Sequence, residues 1–174
     1  MENVLARFHG ITTFVFDMDG VLTDGSLWIM PGGVWVRKMN IKDGYALQLA
    51  VKQGYNVVVI SGSNSEEVRE RLGRLGIRDV HMNCRNKLAV LQQYFSSHQL
   101  SPEQVLCMGD DIPDIELLKA AGLICCPSDA VQEIKSLAHY ISPAKGGEGC
   151  VRDVIEKVLK LRGHWNNDTS VPSQ

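Results

Sequence analysis

Two hydrophobic periods alternate along the chain. Short, largely apolar runs are followed by longer stretches with an amphipathic, helical spacing. The runs are 11–16 (ending at Phe16), 56–60, 79–82, 104–108 and 123–126. Strands that are apolar on both faces belong in a covered parallel sheet. The helical patterns cover 43–53, 65–75, 87–98, 112–121, 130–137 and 150–161. Gly54, Gly76 and Gly122 stop three of them, and Pro113 sits in the first turn of another. The alternation predicts an α/β fold, a three-layer Rossmann-like parallel sheet whose ligands bind at the carboxyl ends of the strands.

One segment departs from this pattern. Leu27-Trp28-Ile29-Met30 and Val34-Trp35-Val36-Arg37 flank Pro31-Gly32-Gly33, which predicts a β-hairpin extension over about 26–38. Both of its faces are apolar, and an isolated ribbon cannot bury both. It is therefore expected to pack against another subunit; the alternative is that it folds back on its own core. Residues 1–163 read as one domain. The polar segment 164–174 reads as a flexible tail.

Composition narrows the function. The chain has 174 residues, 18 basic against 20 acidic, so a nucleic-acid footprint is not expected. No apolar run approaches the ~20 residues of a membrane span, and no membrane partner is expected. The N-terminus lacks a signal-peptide pattern. Five cysteines with no CxxC pair suggest neither a disulfide framework nor a zinc site, and fit a reducing cytoplasm.

The chemistry gathers at the strand exits. Asp17-Met18-Asp19-Gly20 follows the first run and Ser61-Gly62 the second. Lys87 opens the helix after the third, and Gly109-Asp110-Asp111-Ile112-Pro113-Asp114 follows the fourth. Each alone is ordinary turn or surface chemistry; the order and placement carry the signal. Carboxylates crowded at one point repel unless a cation joins them. An all-oxygen set suits Mg²⁺, which accepts one or two carboxylates plus a phosphate. A phosphate ester is the implied substrate. Lys87 would neutralise it, Ser61 would donate a hydrogen bond, Asp17 would attack phosphorus, and Asp19 would protonate the leaving oxygen.

These motifs resemble those of the haloacid dehalogenase (HAD) superfamily. Residues 16–25 look like its first motif, and Ser61, Lys87 and residues 109–114 like the second to fourth. Within it, Asn40-Ile41-Lys42-Asp43-Gly44-Tyr45 and Gly146-Gly147-Glu148-Gly149 resemble the branch acting on 3-deoxy-D-manno-octulosonate (KDO) 8-phosphate. The resemblance implies a Mg²⁺-dependent phosphatase of a sugar-acid phosphate in lipopolysaccharide precursor synthesis, working through an aspartyl-phosphate. It also implies a homotetramer with the hairpin at the interface. The 44 positions from Asp17 to Ser61 and the 26 from Ser61 to Lys87 leave no room for a cap domain. Carried over by position, Asp17 would be nucleophile and metal ligand, Asp19 acid/base with its carbonyl on the metal, and Asp110 the third ligand. Asp111 and Asp114 would support them. Ser61, Gly62 and Lys87 would hold the phosphate. Asn40, Ile41, Lys42, Asp43, Gly44 and Arg71 would line the sugar-acid path.

Three positions depart from the branch pattern: Gln48 and Ser63, where some members carry arginine, and Glu148, where arginine is frequent. A glutamate there is shared with phosphatases of nine-carbon ulosonate 9-phosphates, which stand as the alternative substrate. An inactive tetrameric domain would have lost Asp17, Asp19 or Lys87, and all three are present. A phosphoacceptor switch would place its paired acids and phosphoacceptor on different strands.

Overall fold

A computed structural model describes residues 4–172 of the chain. Six parallel strands run in the order β5-β4-β1-β6-β7-β8. They are β1 (Thr13–Phe16), β4 (Asn56–Ile60), β5 (Asp79–His81), β6 (Val105–Met108), β7 (Leu123–Cys126) and β8 (Tyr140–Ile141). Each central strand divides its side chains between two apolar layers, as a period of two requires. Phe14, Phe16, Val57, Val59, Leu106 and Met108 enter one core. Val15, Val58, Ile60, Val105 and Cys107 enter the other. The first core is closed by α1 (Val4–His9), α2 (Ile41–Lys52), α3 (Glu66–Arg74) and α7 (Cys150–Leu161). The second is closed by α4 (Lys87–His98), α5 (Ile115–Lys119) and α6 (Gln132–Leu137). This is the three-layer α/β sheet expected from the sequence.

Three local differences have physical causes. First, α2 begins at Ile41 rather than 43, because the Asn40 carboxamide accepts the Lys42 N–H at 2.8 Å and caps it. Second, the expected helix over 112–121 splits into a tight turn at Ile112–Asp114 and the short α5. There Asp111 caps the turn by accepting the Ile112 N–H at 2.8 Å. Third, α1 and β8 carry too little periodicity to be read from sequence.

The hairpin forms as expected, β2 (Trp28–Met30) pairing antiparallel with β3 (Val34–Val36). Gly32 and Gly33, both at positive φ, make its turn. The ribbon does not fold back on the chain's own core: its six strand residues remain 46–74 % exposed.

Residues 164–172 of the segment expected to be a flexible tail lie against the chain. Trp165 packs against the first core and Val171 is buried in it. The Arg152 guanidinium lies over the Trp165 and Tyr45 rings at 5.3 and 5.7 Å. Lys52 Nζ meets Asp168 Oδ2 at 2.6 Å, and Gln48 Nε2 donates to the Pro172 carbonyl at 2.9 Å. The apolar anchors in this polar segment strap it across α2. Residues 173 and 174 of the expected tail lie outside the described residues. Among the described residues, no helix is long and apolar enough to cross a membrane.

Candidate active site

The strand order reverses at β1, which has β4 on one side and β6 on the other. A crevice opens at the carboxyl ends of the strands at such a point. The Asp17 N–H donates to the Met108 carbonyl at 3.0 Å, extending the ladder one residue beyond β1 and lifting the side chain into that crevice. Ser61 leaves β4 and Gly109-Asp110 leave β6 beside it. Lys87, the first residue of α4, arrives from the β5 side after Asn86, which caps the helix by accepting the Ala89 N–H at 3.0 Å.

The resulting cleft has a volume of about 360 Å³ and is lined by Asp17, Asp19, Ser61, Gly62, Lys87, Asp110, Asp111 and Asp114, with Gly25, Ser63 and Pro113. It therefore collects the five strand-exit carboxylates singled out in the sequence, with Ser61, Gly62 and Lys87. Lys87 Nζ lies 2.6 Å from Asp17 Oδ1 and 2.7 Å from Asp114 Oδ1. Asp114 Oδ2 accepts the backbone N–H groups of Asp110 and Asp111 at 3.1 and 3.5 Å. Both Asp114 oxygens thus accept hydrogen bonds, one from Lys87 and one from the loop after β6.

The electrostatics follow from this crowding. The Asp17 carboxyl is raised to about 7, first by burial and then by the nearby Asp114 carboxylate, with Lys87 opposing both. Asp110 is likewise raised to about 7, first by burial and then by Asp17, Asp114 and Asp111. Lys87 is held charged well above its usual range: burial works against the charge, but Asp17 and Asp114 outweigh it.

The donor set fits a hard divalent cation. Oxygens of Asp17, Asp110 and Asp114 lie within 4.8 Å of one another. Asp110 Oδ1 is buried with no hydrogen-bond partner among the described residues. Such an orphaned carboxylate oxygen is costly unless a cation meets it. Each Asp114 oxygen already accepts a hydrogen bond, whereas Asp110 Oδ1 accepts none among the described residues.

Asp19 is not alone. The Arg37 guanidinium reaches it from just beyond β3, with Nε 2.7 Å from Oδ1 and Nη2 3.3 Å from Oδ2. Thr23 Oγ1 donates to Oδ1 at 3.4 Å. Sequence reasoning missed Arg37, because it lies 18 residues from Asp19 on another element. The Gly-Gly pair at 146–147 supports the same loop. A β-carbon on Gly146 would stand 2.0 Å from the Gly20 carbonyl oxygen, and one on Gly147 2.5 Å from the Asp24 nitrogen.

A second groove of about 370 Å³ is lined by Trp35, Val36, Arg37, Met39 and Ile41 on one side and by Ser65, Glu67, Val68 and Arg71 of the α3 segment on the other. Ile41 and Arg71, two of the residues named for the sugar-acid path, thus share one groove. Asn40, Lys42, Asp43 and Gly44 line neither cavity. Asn40 Nδ2 donates to the Gly147 carbonyl at 3.3 Å, and the Gly44 N–H donates to the Asn40 carbonyl. The backbone N–H of Lys42 is taken by the Asn40 cap. Asp43 is buried, and its Oδ1 accepts the Arg152 N–H at 2.7 Å in the first turn of α7.

Comparison with known proteins agrees with this geometry. Residues 79–154 match the family model described as haloacid dehalogenase-like hydrolase. The chain is 30 % identical to the 3-deoxy-D-manno-octulosonate 8-phosphate phosphatase of Yersinia pestis, over 93 % of this chain and 89 % of the relative. A crystal structure of the 3-deoxy-D-manno-octulosonate 8-phosphate phosphatase from Moraxella catarrhalis, in complex with magnesium ion, phosphate ion and KDO, superposes with a TM-score of 0.87. That pair is 27 % identical, and the match covers 91 % of each chain. A probable phosphatase from Pseudomonas syringae superposes with a TM-score of 0.89 at 35 % identity, covering 92 % of each chain.

Proposed function

The chain belongs to the haloacid dehalogenase-like hydrolases, and from that premise we propose that it hydrolyses KDO 8-phosphate to KDO and phosphate. The observation that carries this reading is the Asp17–Lys87–Asp114 arrangement beside the orphaned oxygen of Asp110. It provides a carboxylate nucleophile, a fixed cation for phosphate oxygens, and a place for a second cation. The sugar acid comes from the names of the relatives and from the groove beside the cleft, where Arg71 would meet the substrate carboxylate.

Asp17, Asp110 and the Asp19 carbonyl would hold the Mg²⁺, which when bound neutralises the crowded carboxylates and draws charge from the phosphoryl oxygens. The other roles belong to the chain. Lys87, the Ser61 hydroxyl and the Gly62 backbone grip the phosphate and orient it. Asp17 attacks phosphorus with an oxygen, while Asp19 gives a proton to the departing sugar oxygen. An aspartyl-phosphate on Asp17 results. Asp19, now a carboxylate, takes a proton from water as that water attacks phosphorus, which releases phosphate and restores Asp17.

The same reading places the exposed ribbon of β2 and β3 against a second copy of this chain, in a homo-oligomer expected to be a tetramer. Its apolar residues form a patch on both faces that water does not favour. The reaction fits lipopolysaccharide precursor synthesis in the cytoplasm.

The test is phosphate release with Mg²⁺, comparing KDO 8-phosphate, a nine-carbon ulosonate 9-phosphate and common sugar phosphates. A large preference in kcat/KM for the octulosonate supports the reading. A preference for the nine-carbon acid keeps the chemistry and overturns the substrate; Glu148 is the residue that favours that alternative. No release from any ester would point to an inactive structural domain.

A further inference from the structure

We propose that Arg37 is the positioning residue for Asp19, fixing which carboxylate oxygen faces the substrate and tying that orientation to the base of the hairpin. The inference rests on the acid/base role given to Asp19 above.

The geometry separates the two oxygens of Asp19. Oδ1 is held twice, by Arg37 Nε at 2.7 Å and by the Thr23 hydroxyl at 3.4 Å. Among the described residues, Oδ2 has only the longer Arg37 Nη2 contact at 3.3 Å. Oδ2 is therefore the oxygen available to exchange a proton with the leaving group and then with water. A planar guanidinium sets the carboxylate plane as well as its place, which a lysine ammonium does not.

The clamp is itself anchored. The Arg37 side chain is 3 % exposed although it follows directly on the exposed strand β3. Thr23 and Met39 form an antiparallel bridge that closes the base of the hairpin. The Thr23 hydroxyl also accepts the N–H groups of Gly20 and Gly25 at 3.3 and 3.2 Å. Asp19 is thus gripped from both legs of the hairpin, Thr23 on the way out and Arg37 on the way back. Whatever holds the ribbon still also holds the acid/base in its productive rotamer. A loose acid loses its rate advantage, since proton transfer needs hydrogen-bond reach.

The test uses the leaving group as probe. An alkoxide needs a proton to depart, whereas p-nitrophenolate does not, so only the former depends on the acid in the phosphoryl-transfer step. Wild-type phosphate release from KDO 8-phosphate and from a nine-carbon ulosonate 9-phosphate is measured first; release from neither would remove the acid/base reading itself and not Arg37 alone. Arg37→Met is then compared with wild type on KDO 8-phosphate, on glycerol phosphate, which has no carboxylate, and on p-nitrophenyl phosphate in a rapid-mixing burst. The expected result is a loss of about 10²-fold in kcat on both alkyl esters, with KM within a few-fold. The p-nitrophenolate burst rate stays within about five-fold, and the steady-state rate after it falls. Arg37→Lys recovers only part of the loss. Adding Arg37→Met to Asp19→Asn costs nothing further. An equal fall of the aryl burst and the alkyl rates would overturn the proposal in favour of a phosphate-binding or folding role. A rise in KM for KDO 8-phosphate alone, with glycerol phosphate untouched, would overturn it in favour of a contact to the substrate carboxylate.

Discussion

Gly20 faces Asp110 so closely that a β-carbon on it would stand 2.0 Å from Oδ2 of that carboxylate. Gly20 also sits at φ +90°, where a side chain is strained in any case. On its other side the Gly20 carbonyl is the atom that a β-carbon on Gly146 would strike. The loop after β1 is thus pressed between the Gly-Gly pair and the proposed metal ligand, with no room on either side. Gly20→Ala should displace Asp110 and lower kcat/KM by 10²-fold or more. The φ strain should cost about 1–3 kcal/mol in stability. Steady-state kinetics beside urea unfolding checks both; wild-type turnover in Gly20→Ala would show that the placement of Asp110 is not critical.

Removal of the cation should be visible without turnover. Mg²⁺ bound only to the folded state raises its melting temperature with the logarithm of ligand excess. Wild type should gain several degrees in millimolar Mg²⁺ over the same protein in EDTA. Asp110→Asn removes the charge whose Oδ1 lacks a partner among the described residues, so its melting temperature in EDTA should rise and its response to Mg²⁺ should vanish. Phosphate release by wild type should stop in EDTA and return with added Mg²⁺. A full Mg²⁺ shift in Asp110→Asn would take that residue out of the ligand set.

The ribbon gives a prediction about assembly. Trp28 and Trp35 are 69 % and 54 % exposed in the single chain. Replacing both by Asp should leave the core untouched, because neither belongs to it, and should yield smaller species by light scattering. Activity should fall with assembly, since Trp35 and Arg37 line the groove beside the cleft. An unchanged oligomer would refute the interface role.

The legible features of the sequence were those written in local patterns. Strands such as Val57-Val58-Val59-Ile60 declare themselves because both their faces are buried, and the exits of β1, β4 and β6 carried the residues that meet in the cleft. Arg37 was invisible because an ion pair across 18 residues leaves no periodic trace. Residues 164–172 looked unstructured because Trp165 and Val171 are isolated among polar neighbours, yet two anchors suffice to dock a segment. The inward position of Asp43 is hidden for another reason. In a sequence, a carboxylate beside a presumed ligand path is indistinguishable from one that turns inward to a neighbouring helix.

That inward turn of Asp43 has a consequence for stability against pH. Burial pushes its carboxyl up to about 6, against the lowering by the Arg152 and Gly149 N–H groups and the Arg152 charge. In the unfolded chain an aspartate titrates near ~3.9. Between these values the folded protein keeps a proton that the unfolded chain has lost, so this residue lowers stability as pH rises from about 4 to about 6. The two-unit difference corresponds to a penalty of up to about 3 kcal/mol above that window. Asp43→Asn cannot titrate, while its carbonyl can still accept the Arg152 N–H. The stability of the variant relative to wild type should therefore rise between pH 4 and 6 and level off above pH 7, when both are unfolded in urea across that range. Parallel profiles would show that Asp43 does not titrate as its burial requires. Parallel profiles with a raised KM for the sugar acid would return Asp43 to the substrate path that the sequence alone suggested.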